Sequence, residues 1–120
     1  MVIDRAFASK FASEWFAAWN SHDLNRILSH YAEDFELSSP FIIQVAQEPT
    51  GKLTGKQAIS AYWGKCLQLM PNLQFVPVNL LIGINSITLY YQSIRGLAAE
   101  TFYFDNAGKV NRSNACYAES

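Results

Sequence analysis

Apolar residues recur at helical spacing through the first third of the chain and alternate like a strand through its last third. Phe7, Phe11, Trp15 and Ala18 stand three or four apart, with Phe16 and Trp19 widening the stripe. That spacing predicts an amphipathic helix with one buried face. Asp4 stands where its carboxylate can cap the first turn. Asn20-Ser21-His22 breaks the pattern, and Asp23 can cap a second, shorter helix carrying Leu24, Ile27, Leu28 and Tyr31 on one side. A short strand is expected around Phe35 to Ser38, ending at Pro40. The segment from Phe41 to Gly55 mixes apolar and turn-forming residues and reads as a loop or irregular lid. Thr54 and Gln57 have capping-box spacing and start a third helix. Its stripe is Ile59, Tyr62, Trp63, Cys66, Leu67 and Met70, and Pro71 stops it.

From Leu73 onward valine, isoleucine, tyrosine and phenylalanine alternate with polar residues, and turn signals recur. Four strands are expected over about 73–83, 86–94, 97–105 and 109–118. Their turns fall at Gly83 to Ser86, Arg95-Gly96 and Asp105 to Gly108. Helices first and a strand meander last is an α+β layout. Such an antiparallel sheet buries one face under the helices; its other face is polar or meets a partner. No linker, repeat or low-complexity stretch divides the 120 residues, so one domain over 1–120 is expected.

Composition narrows the function classes without choosing one. Half the residues are hydrophobic, with eight Phe, six Tyr and three Trp, enough for a core without disulfides. Net charge is −1 and the lysines and arginines are scattered, which argues against nucleic acid or an anionic membrane as partner. The longest apolar run, near Leu80 to Ile84, is too short to span a bilayer. The N-terminus lacks a signal-peptide pattern, and Cys66 and Cys116 read as thiols of a reducing compartment, so the cytoplasm is expected. His22 and His30 show no metal-ligand spacing and read as surface or capping residues. Asp34 reads as a turn or cap residue. No phosphate loop, nucleophile elbow or CxxC motif is present, and neither metal nor cofactor is expected.

Several segments together resemble a known family. Trp15-Phe16-Ala17-Ala18-Trp19-Asn20-Ser21-His22-Asp23-Leu24, followed by Tyr31-Ala32-Glu33-Asp34-Phe35, is similar to the opening of nuclear transport factor 2-like (SnoaL-like) proteins. Gly55-Lys56-Gln57-Ala58-Ile59 is similar to the start of that family's long helix. Phe102-Tyr103-Phe104-Asp105 and Gly108-Lys109-Val110 resemble its last hairpin. Where the family commonly has Gly, this chain has His22. The resemblance implies an α+β barrel, a cone-shaped curved antiparallel sheet wrapped around the N-terminal helices and one long helix, with an apolar pocket inside. The family includes ketosteroid isomerases, cyclases, dehydratases, epoxide hydrolases and non-enzymatic binding or dimerising proteins, so fold alone does not choose a function.

The resemblance also points to positions. The carboxylate base of the isomerases falls at Ser39, which cannot take a proton from a carbon acid unaided. Their oxyanion-binding tyrosine falls at Trp15, whose indole N–H donates a hydrogen bond but shuttles no proton. Their carboxylic acid falls at Glu100, which is retained. Strand alternation puts Glu100 on one face with Phe102 and Phe104. Desolvation there would raise its pKa and suit it to acid or base work; the alternative is an ordinary buried Glu bonded to Trp15 or a tyrosine. A two-residue turn at Arg95-Gly96 would pair Glu100 with Tyr91, and Leu89 and Ile87 would follow on the inner face. Family pocket positions fall at Ser113, Ala115, Tyr117, Trp63 and Tyr31. A lining of Trp15, Tyr31, Trp63, Tyr91, Phe102, Ser113 and Tyr117, with Glu100 and Ser39 as polar points, would suit a flat apolar ligand. Three readings stay open: a small-molecule enzyme using Glu100, a non-catalytic binding or dimerisation module, and a packed structural domain. Thr88, Tyr90, Gln92, Thr101 and Tyr103 fall on the outer sheet face, through which a homodimer is expected.

Overall fold

Asp4 opens the first helix as its sequence position predicts, its Oδ1 accepting the Phe7 N–H at 2.8 Å. In the computed structural model, which describes residues 1–119, this helix, α1, runs Arg5–Ser21. His22 closes it in a left-handed conformation (φ 61°), and its ring Nε2 lies 2.8 Å from the Leu73 carbonyl. Asp23 caps α2 (Leu24–Leu28) by accepting the Arg26 N–H at 3.2 Å. Tyr31 is not on that helix. The chain turns after Ser29 and begins β1, Tyr31–Ser38, four residues earlier than expected.

The segment from Phe41 to Gly55 is not a loop. Ser39 and Pro40 start a six-residue helix α3 (Pro40–Val45), with Pro40 in the first turn, where its missing N–H costs nothing. Strand β2 (Lys52–Thr54) then pairs antiparallel with the end of β1. Thr54 therefore belongs to a strand and caps nothing. The N-cap of α4 (Lys56–Leu69) is Gly55, whose φ of 91° is what a glycine tolerates, and no side chain caps this helix.

The remaining strands are β3 (Val76–Ile82), β4 (Ser86–Ser93), β5 (Gly96–Phe104) and β6 (Val110–Tyr117). The sheet order is β2-β1-β6-β5-β4-β3. The α+β architecture with a curved sheet is as expected, and two details differ from an antiparallel barrel. β1 and β6 run parallel, with an irregularity between Tyr31 and Glu36. The sheet is also curved but unclosed, because β2 and β3 stand at opposite edges and do not pair. The β4–β5 turn is Ile94-Arg95, not Arg95-Gly96: Ser93 pairs with Gly96, and Leu89, not Tyr91, stands opposite Glu100. Ser93 Oγ fixes this register by accepting the Arg95 N–H at 3.1 Å and donating to the Gly96 carbonyl at 2.9 Å. Gly96 begins the strand at φ 114°, which a side chain would resist. A slip of two residues leaves every side chain on its expected face.

Helix α1 lies against β3 and α2, and α4 against β1 and α2. Their apolar stripes and the inner faces of the strands form one buried cluster that includes Phe11, Trp15, Phe35, Ile87, Leu89 and Phe102. On the opposite face the Thr88 and Thr101 hydroxyls meet at 2.8 Å, and the Arg112 guanidinium lies 4.2 Å from the Tyr103 ring centre. Edge strand β3 exposes Val76, Val78, Leu81 and Ile82. Among the described residues, no helix is long and apolar enough to cross a membrane.

Candidate functional site

β5 alternates strictly, with Ala98, Glu100, Phe102 and Phe104 all turned inward and buried. Glu100 is thus carried into the apolar interior by its neighbours' burial and is only 6 % exposed. Ser113 on β6 stands opposite Phe102, diagonal to Glu100, and its Oγ donates to Glu100 Oε2 at 2.6 Å. Burial pushes the Glu100 carboxyl up to about 7, and the Ser113 and Tyr91 hydroxyls oppose that rise. Its hydrogen-bond partner is Ser113, while Trp15 donates to Tyr31 instead. Tyr31, Tyr91 and Tyr117 are each pushed up, first by burial and then by the Glu100 charge. At neutral pH these hydroxyls stay protonated and can donate hydrogen bonds but not accept protons from a carbon acid.

Glu100 lines a cleft bounded by α1, α4, α3 and the β4–β5 turn. All three tryptophans of the chain, Trp15, Trp19 and Trp63, contribute to its wall, with Phe41, Phe75, Tyr62, Tyr91 and Tyr117. Leu37, Ser39, Cys66, Met70, Leu73 and Ala115 complete the interior, and Ser93, Ile94 and Arg95 reach it from the turn. The free volume is about 60 Å³, room for a few waters rather than a whole drug-sized ligand.

The structure brings six of the nine expected residues to this cleft: Glu100, Ser39, Trp15, Trp63, Tyr91 and Tyr117. Tyr31, Phe102 and Ser113 stand behind its wall. Tyr31 accepts the Trp15 indole N–H at 3.0 Å. The donor expected to face a ligand is thus spent inside the core. Phe102 sits between Trp15 and Phe11, with ring centres 5.3 and 5.0 Å away. Ser113 is fully buried and serves Glu100. Ser39, in the place of the expected base, accepts the Phe41 N–H at 3.2 Å as the N-cap of α3.

Sequence reasoning missed Trp19, Tyr62, Cys66, Phe75, Phe41 and Arg95 as cleft residues. Trp19 lay in the α1 stripe, and Tyr62 and Cys66 in the α4 stripe four apart. Helical spacing could have found those three. Phe41 and Arg95 belong to the segment read as a lid and to a turn, and only folding brings them together. The Trp19 indole N–H is buried without a hydrogen-bond partner. Cys66 is a free thiol whose pKa is raised by burial, so it is a poor nucleophile. His30 lies 3.9 Å from Glu14, and burial lowers its pKa. Among the described residues, no three or more His, Cys, Asp or Glu cluster as a metal site would need.

The architecture recurs in solved structures. A SnoaL-like protein of unknown function from Burkholderia thailandensis is 45 % identical, with a TM-score of 0.95 over 99 % of this chain and all of its own. A candidate ketosteroid isomerase from Kribbella flavida shares 17 % identity and a TM-score of 0.74, covering 96 % of this chain and 80 % of its own. A candidate polyketide cyclase from Sinorhizobium meliloti shares 12 % identity and a TM-score of 0.73, covering 89 % of this chain and 94 % of its own. At such identities the last two show the shared fold alone. No curated protein matches the chain. The sequence profile of the SnoaL-like domain matches residues 12–113. With that profile spanning most of the chain and the Burkholderia protein matching it end to end, the protein belongs to the SnoaL-like family.

Proposed function

We propose that the cleft binds a small apolar molecule and that Glu100 transfers a proton within it, in an isomerase-, cyclase- or dehydratase-type reaction. The observation that carries this reading is a carboxyl poised at about 7 on the wall of an aromatic cleft. Near neutral pH both of its forms are populated, so one group can take a proton from one atom and return it to another. Ser113 holds the carboxyl in place at 2.6 Å. Among the described residues, no second carboxylate lines the cleft. Ser39 caps a helix and the Trp15 N–H is bonded to Tyr31, so the acid–base work would fall to Glu100 alone.

The experiment is hydrogen exchange into a flat enolisable ketone, 1-tetralone, in deuterated buffer at pD near 7. Wild type is expected to accelerate exchange, and Glu100→Gln to lose that acceleration by a factor of about a hundred or more. Exchange unaffected by Glu100→Gln would remove the residue from the mechanism. Tetralone bound without exchange would favour the second reading, a binding module without chemistry. That reading is supported by the commitment of Ser39 and Trp15 to structural bonds.

We further propose a homodimer formed through the outer sheet face, where Thr88, Tyr90, Thr101 and Tyr103 are half-buried and Gln92 is exposed. Light scattering at micromolar concentration should give twice the 13.5 kDa chain mass, and a monomeric mass would end the proposal. The cytoplasm fits two free cysteines.

A further inference from the structure

Among the described residues, Arg95 and Glu100 are the only Asp, Glu, Lys or Arg side chains on the cleft wall. Glu100 lies buried inside, and Arg95 sits exposed on the β4–β5 turn. The Arg95 guanidinium rests 4.4 Å from the centre of the Phe41 ring, which in turn lies 4.3 Å from the Tyr117 ring. Among the described residues, no carboxylate comes within ion-pair distance of it. A guanidinium placed on an aromatic face keeps the N–H groups along its edge free to meet an acceptor. Its positive field reaches into the cleft, where it acts on both Cys66 and Tyr117.

The size of the cleft makes this cation hard to avoid. With about 60 Å³ free inside, a bicyclic molecule cannot enter whole. Of the lining residues only Ile94 and Arg95 are exposed, so the part left outside lies at the turn that carries them. At the inner end a second negative charge would face a carboxyl among tyrosines, so the uncharged end of a ligand belongs there.

We infer that the cleft selects flat aromatic molecules bearing an ionised acidic oxygen, held with that oxygen against Arg95 and the uncharged end toward Glu100. This inference rests on the reading of the cleft as a ligand site. Arg95 is then a specificity residue, and Phe41 is the platform that aims it.

A pair of probes of one shape and different charge tests it: 2-naphthoate and 2-naphthamide, titrated calorimetrically into the full chain at pH 6 and low salt. Wild type is expected to bind the naphthoate roughly tenfold more tightly than the amide, with the gap narrowing as salt is added. Arg95→Gln should close the gap by weakening naphthoate far more than naphthamide. The exposed turn position makes this variant safe for folding. Equal affinities in wild type, or an Arg95→Gln variant that weakens both probes alike, would overturn the charge selection and leave the cleft a neutral binding site. Failure of wild type to bind either probe would overturn the ligand-site reading itself, and the inference with it.

Discussion

Glu100→Gln should stabilise the protein relative to wild type at pH 8 by about 3 kcal/mol more than it does below pH 4.5. The reason is linkage. The folded carboxyl holds its proton up to about pH 7, whereas a free glutamate releases it near 4.5. Between those values the folded state binds a proton that the unfolded state has lost, so stability is greatest at the acid end and falls as pH rises through 7. Glutamine resembles the protonated acid and can still accept from Ser113, but it does not ionise. The difference between the two proteins therefore isolates this one group, since all other titrations cancel. Urea unfolding of both at pH 4, 5, 6, 7 and 8 gives the difference directly. Parallel stability curves would mean that Glu100 titrates in the folded protein as it does in the unfolded chain.

Trp15→Ala should cost about 3–5 kcal/mol, a large share of the stability of a domain this size. Trp15 is 1 % exposed, and its ring meets those of Phe16, Trp19, Phe75, Tyr91 and Phe102, all within about 6 Å. Truncation also leaves the buried Tyr31 hydroxyl without its indole donor. Trp15→Phe keeps most of the ring and loses the N–H, so its cost should be nearer 1–2 kcal/mol. Chemical denaturation of the three proteins measures the series. A loss below about 1 kcal/mol for Trp15→Ala would mean that the walls of the cleft collapse onto the vacated space.

The fold was legible wherever one local signal sufficed. Asp4 and Asp23 cap their helices as their positions predict, because an N-cap needs only its own turn. Glu100 faces inward as predicted even though the turn was misplaced, because strand faces alternate every residue and the slip was two. Elements made by distant partners were not legible. β2 is three residues held by pairing with β1, and the parallel β1–β6 pairing joins segments far apart in the sequence. The six-residue α3 carried a readable sign, Ser39 followed by Pro40, that the mixed composition after it obscured.

The candidate site divides in the same way. Aromatic positions on helix stripes and strand faces could be read, but which way an indole N–H points could not. Trp15 turns its donor toward Tyr31 through a choice of rotamer. The Ser113 bond to Glu100 depends on the β5–β6 register, and the meeting of Arg95 with Phe41 depends on two connecting segments that sequence patterns leave open.

The parallel β1–β6 pair also governs how the protein can be made. Tyr31 pairs with Val110 and Ser38 with Asn114, so the middle of the sheet waits for β6 to leave the ribosome. Until then β1 has only the short β2 beside it, and the β3–β4–β5 meander has no link to it through the sheet. Loop closure over such a separation is slow compared with the formation of helices. The growing chain therefore cannot close its sheet until β6 has been made, and chaperones would meet its open strands during that interval.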